Sequence, residues 1–121
     1  PLPCVRYNRH LGHFRTGRLA AMARRVRPHP NTWVTGDGVW PTGPFQPDAP
    51  PYATAVARLA GNLQKALDTQ GLTQRAVARA AGLTPSTVNE LLRGMLIPDA
   101  ATIAALEDTL DITLWPTRGP R

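Results

Sequence analysis

Residues 72–94 constrain the fold more than any other stretch, because small, apolar and turn-forming residues fall where two short helices crossing at a sharp angle need them. Ala78 belongs on the inner face of the first helix, where a larger side chain would hold the second one off. Gly82 follows Ala80 and Ala81 as a stop, since glycine takes the left-handed conformation without a Cβ clash. Thr84 then caps a new helix, and Pro85 takes its first position, where a missing N–H costs nothing. Val88 and Leu91 point back into the angle. The pattern predicts a helix-turn-helix unit.

The flanking sequence extends this unit into a small domain. Val56, Leu59, Ala60, Leu63, Ala66 and Leu67 recur at helical spacing and predict a first helix of roughly 53–69, ended by Gly71. Thr73 caps a second helix over about 74–81, and Thr84 a third over about 85–93 that Gly94 closes. Met95, Leu96 and Ile97 should turn inward before Pro98. Asp99 caps a fourth helix of about 100–110 with Ile103, Leu106 and Leu110 on one face. Ile112, Leu114 and Trp115 are expected to close the bottom of the core before Pro116.

The chain therefore divides into an arginine-rich arm (1–27), a proline-rich linker (28–51), a helical domain (52–115) and a tail (116–121). The arm has little periodicity beyond a possible short helix over 18–27. The linker holds seven of the thirteen prolines, including Pro50 and Pro51, and reads as extended. Within it, residues 32–40 offer two short β-prone runs. A Gly36–Asp37 turn would set Trp33 opposite Trp40 and Val34 opposite Val39. Such a hairpin is marginal alone and must pack on something. An irregular segment with its tryptophans pinned to the domain is the alternative.

Composition bounds the rest. A chain of 121 residues, 42% hydrophobic, supports one domain and an appendage. It has no apolar run near the roughly 20 residues of a membrane span. The N-terminal stretch has neither the continuous apolar segment nor the cleavage site of a secretory signal. A single cysteine, Cys4, leaves no intramolecular disulfide. These features favour a cytoplasmic protein of bacterial or phage type. Met22 followed by Ala23, Arg24 and Arg25 also reads as a translation start, with residues 1–21 then an upstream extension.

The net charge of +6 is uneven. Residues 1–50 carry seven arginines (6, 9, 15, 18, 24, 25, 27) against Asp37 and Asp48, a net of +5. Residues 52–115 carry five basic and six acidic groups, a net of −1. An arginine-rich arm can supply salt-dependent attraction to phosphate. A solvated tail is the alternative.

Residues 55–115 resemble the helix-turn-helix family of phage lambda repressor and Cro, the XRE-like family. The matching signature is Leu72, Thr73, Gln74, Ala78, Gly82, Thr84, Ser86, Val88, Leu91, Gly94, Pro98 and the helix bearing Leu106 and Leu110. The resemblance implies an all-α fold, a compact four-to-five-helix lambda-repressor-like DNA-binding bundle. Leu114, Trp115 and Pro116 stand where longer members have a fifth helix. Residues 1–50 show no resemblance.

The resemblance also implies a DNA face. Gln74 takes the family role of contacting a phosphate and bracing the recognition helix; a helix N-terminus suits an anion there. Family members read bases from the positions of Pro85, Ser86, Thr87 and Glu90. Pro85 offers only an apolar contact, as to a thymine methyl. Ser86 and Thr87 are ambivalent hydrogen-bonding groups. Glu90 can accept from cytosine N4, and Asn89 can pair with adenine or reach a phosphate. Thr84 completes the exposed start of this helix, and Arg93 matches a backbone-clamping position. Arg75 and Arg79, four apart on one face, suit flanking phosphates. For Glu90 and the two arginines, a solvated helix surface is the competing reading.

Other chemistry finds little support. His10 and His13 could share a helical face with Cys4 nearby, but the spacing matches no common zinc module and arginines crowd it. No metal or cofactor is expected. Without a nucleophile–base pattern, phosphate-binding glycine loop or paired acidic site, neither is an enzyme. The expected function is sequence-specific DNA binding by a transcriptional regulator, most simply a repressor. Its partners would be double-stranded DNA and a second copy of the chain in a homodimer. The alternative is a protein-interaction module, such as an antitoxin, that grips a protein partner through Trp33 and Trp40.

Overall fold

The computed structural model describes residues 27–116. Residues 1–26 and the tail from 117 lie outside the described residues, and with them the expectations for Cys4, His10, His13, the helix over 18–27 but for Arg27, and a start at Met22. Among the described residues four helices follow a small hairpin: α1 (Pro51–Gln70), α2 (Gln74–Ala81), α3 (Pro85–Leu92) and α4 (Ala100–Leu110). The hairpin pairs β1 (Val34–Val39) with β2 (Gly43–Phe45), after a 3-10 turn at Pro30–Trp33. The mainly helical fold expected from periodicity is the fold found, to within a few residues at each boundary.

Local chemistry explains those boundaries. Thr73, Thr84 and Asp99 each accept a hydrogen bond from the backbone N–H three residues on, at Ala76, Thr87 and Thr102. These bonds satisfy donors that a helix start leaves open. Pro50 is extended and Pro51 occupies the first turn of α1, so the proline pair read as linker opens a helix instead. The turn between α2 and α3 closes at Gly82, whose φ is 73°. Gly82 N–H reaches Arg79 C=O at 3.2 Å and Leu83 N–H reaches Ala78 C=O at 2.8 Å.

The core is one cluster. Val56, Leu59, Leu63 and Leu67 from α1 meet Val77 and Ala78, then Val88 and Leu91, then Leu106 and Leu110. No polar or charged side chain is buried among the described residues. Fully burying each leucine contributes about 1.5–3 kcal/mol, and the core fixes the angle between α2 and α3. Its bottom is closed by Leu114 alone. Ile112 and Trp115 are 38% and 48% exposed, contrary to expectation. The segment runs on from α4 under the control of Glu107, whose Oε2 accepts from Leu114 N–H (2.7 Å) and Trp115 N–H (3.0 Å). Asn62 Nδ2 donates to Leu114 C=O at 2.9 Å. With that residue's backbone held, Leu114 enters the core while its neighbours face out. Ile97 is likewise exposed, and Leu96 packs on the core in its place.

The hairpin forms, but not with the expected turn. Gly36 and Asp37 lie within β1, and Val34 pairs with Phe45 while Val39 pairs with Gly43. Trp33 does not face Trp40. Each indole instead turns to the helices: Trp33 Nε1 donates to Tyr52 Oη at 3.2 Å, and Trp40 packs against the core. Tyr52 Oη donates in turn to Pro28 C=O at 2.7 Å. Cross-strand pairing would leave both indole N–H groups to water, whereas docking buries ring area and satisfies them. Phe45 meets the Trp40 ring edge-on at 6.2 Å.

Candidate nucleic-acid interface

The outward face of α2 and α3 gathers the expected site residues. Thr84, Pro85, Ser86, Glu90 and Arg93 are exposed, as are Arg75 and Arg79, while Gln74, Thr87 and Asn89 are half-buried. Val88 and Leu91 anchor α3 to the core from its opposite side. Their burial turns the intervening positions outward, as the 3.6-residue period requires.

Hydrogen bonds organise this surface from within. Thr84 Oγ1 accepts from Thr87 N–H and lies 2.8 Å from Thr87 Oγ1 and 3.2 Å from Ser86 Oγ. Three hydroxyls thus share one cluster at the start of α3, and part of their capacity is spent on one another. Gln74 Oε1 accepts from Asn89 Nδ2 at 3.2 Å. The glutamine therefore ties the start of α2 to the fifth residue of α3, beyond its N-terminal turn. The remaining amide groups of the pair, Gln74 Nε2 and Asn89 Oδ1, have no partner among the described residues. One is a donor suited to phosphate and the other an acceptor suited to a base edge.

Charge is polarised across the domain despite its small net value. From 74 to 93 the charged residues are Arg75, Arg79, Glu90 and Arg93. From 99 to 111 they are Asp99, Glu107, Asp108 and Asp111, with no cation. A polyanion is drawn to the first surface and repelled by the second. Arg75 and Arg79 border a shallow open depression over Ala76 and Ala80. The Asp99 carboxyl is held below its ordinary value by hydrogen bonds from the Thr102 side chain and backbone.

Two further residues reach this surface: Asn31, which the sequence reading missed, and Trp40, for which it offered pinning to the domain without a partner. Asn31 and Trp40 reach the end of α3 from the segment before the helices. Asn31 Nδ2 donates to Arg93 C=O at 2.9 Å, and Trp40 Nε1 donates to Leu92 C=O at 2.9 Å. No local pattern could reveal contacts across 62 and 52 residues. Among the described residues no group of His, Cys, Asp or Glu side chains is placed to hold a metal ion. No helix among them is long and apolar enough to cross a membrane.

Comparison with known proteins agrees with the motif. A family model described as helix-turn-helix matches residues 63–114, from the middle of α1 through Leu114. This bears out the resemblance carried by the α2–α3 signature. No curated protein matches the chain. Among solved structures, the restriction-modification controller protein C.AhdI from Aeromonas hydrophila is similar at 27% identity, over 49% of this chain and 89% of that one, with a TM-score of 0.47.

Proposed function

We propose, from the helix-turn-helix domain within residues 63–114, that the chain is a sequence-specific transcription regulator that sets α3 in the major groove and represses by occupying its site. The observation that carries this reading is the exposed face of α3, with Arg75, Arg79 and Arg93 around it and the acidic residues of α4 held apart. Ser86, Thr87, Asn89 and Glu90 read base edges, and Pro85 offers apolar contact to a thymine methyl. Gln74, Arg75, Arg79 and Arg93 hold flanking phosphates and set the register. One recognition helix covers only a few base pairs. A homodimer on half-sites about 34 Å apart supplies the remaining specificity. The role is one of binding, with no catalytic step and no cofactor, in a cytoplasm of bacterial or phage type.

Partner binding through the tryptophans is the weaker reading, because Trp33 and Trp40 spend their N–H groups on Tyr52 and Leu92. Selection of bound sequences from random duplex DNA tests the proposal. A common sequence should emerge, two-fold related if the chain dimerises. Arg93→Ala and Gln74→Ala should each weaken binding to it by roughly 1–3 kcal/mol while the fold survives. No enriched sequence, or binding indifferent to both substitutions, would overturn it.

A further inference from the structure

A helix end leaves its last carbonyls without intrahelical partners. At the end of α3 three consecutive carbonyls, those of Leu92, Arg93 and Gly94, are taken by donors from the segment before the helices. Trp40 Nε1 meets Leu92 C=O at 2.9 Å, Asn31 Nδ2 meets Arg93 C=O at 2.9 Å, and Asn31 N–H meets Gly94 C=O at 3.0 Å. The Trp40 ring lies so close over Gly94 that a Cβ there would fall 2.5 Å from it. The donors are themselves anchored. Pro30 is buried, and Trp33 of the same turn bonds Tyr52 on α1.

α3 needs such a fixture. It has eight residues, and its fully buried side chains are Val88 and Leu91, the fourth and seventh of them. Together with the Gln74–Asn89 bond and the packing of Leu92 on the core, the attachment at the C-terminus fixes both tilt and rotation. The attachment also frees Arg93. A cation near a helix end tends to fold back onto the open carbonyls, but here those carbonyls are occupied, and the guanidinium is left for an external anion.

We propose that Asn31 and Trp40 are positioning residues for DNA recognition, forming a clamp that holds α3 at the angle its reading side chains require. The proposal rests on the DNA-binding function above. It makes the hairpin segment part of the reading head.

The test uses the full chain, the duplex it selects from a random pool, and a scrambled duplex of the same length and salt. Trp40→Phe keeps a ring over Gly94 and removes the N–H. Asn31→Asp keeps the size and removes the side-chain donor. Each should lower affinity for the selected duplex about fivefold, the scale of one net hydrogen bond, and leave affinity for the scrambled duplex within about twofold. The ratio of the two affinities is therefore the readout. Mere loss of folded protein lowers both affinities alike and leaves the ratio unchanged. An unchanged ratio in both variants overturns the clamp, whether or not thermal stability falls. Should Asn31→Asp fail to fold, Trp40→Phe decides alone. Failure of the unaltered chain to select any sequence overturns the DNA reading itself, before either variant is measured.

Discussion

Gly94 meets two constraints at once. Its φ of 75° lies in the left-handed region, and the Trp40 ring and Asn31 Cβ occupy the space a side chain would need. Gly82 shares the first constraint and not the second, since nothing lies within 4 Å of the place a Cβ would take there. Asp111 takes a similar conformation at φ 56°, so that conformation alone is tolerable to a non-glycine residue. Gly82→Ala should therefore cost about 1–2 kcal/mol, the left-handed penalty alone. Gly94→Ala should cost roughly 2–5 kcal/mol, since crowding adds to that penalty. Urea unfolding of the two variants checks the difference, and equal losses would contradict it. Both glycines were legible in the sequence as helix stops. The second demand on Gly94 was not, because the indole that makes it arrives from residue 40.

The same contrast holds for elements. Helices announce themselves through spacing, and Thr73, Thr84 and Asp99 mark their starts through chemistry that operates within three residues. The hairpin obeys distant partners, so the Gly36–Asp37 rule placed its turn wrongly: both β-prone runs fall on one strand, β1, which pairs with Gly43–Phe45. The segment after α4 is also governed from outside itself. Its hold on the bundle runs through Glu107, whose carboxyl lies below its ordinary value because the Trp115 and Leu114 N–H groups favour the charged form. A depressed folded-state pKa means that this hold is complete above the ordinary glutamate value of 4.5 and is lost as pH falls through the folded-state value. Glu107→Gln should therefore be less stable than the unaltered chain at pH 7 and approach it at pH 3. Urea midpoints at the two values measure this; a gap that persists at pH 3 would contradict it.

For the whole molecule the governing quantity is where charge resides. The helical domain has almost none to spare, and residues 1–27 carry seven arginines with no acid. The exposed face of α2 and α3 was legible in the sequence because surface positions follow from buried ones. Its separation from the acids of α4 was hidden in a net value. Removing residues 1–26 should weaken DNA binding and flatten its dependence on salt, by about 0.9 in the logarithmic slope for each phosphate that the arm had neutralised. Titrations at several salt concentrations read both; unchanged affinity and slope would assign the arm no part in binding. Arg27, the described end of that arm, is followed by Pro28, whose C=O accepts from Tyr52 Oη at the start of α1.

The placement of Asn31 and Trp40 has a further consequence, for the order in which the molecule is made. Synthesis runs from the N-terminus, so these two residues leave the ribosome first, while the carbonyls they hold are added 62 and 52 residues later. At a translation rate of about 5–20 residues per second, the hairpin spends several seconds without its seat. An isolated two-stranded hairpin has little stability during that wait. Whatever shape the segment holds in the interval, its final contacts cannot form until Gly94 has been made, so a segment born before the helices is among the last to settle.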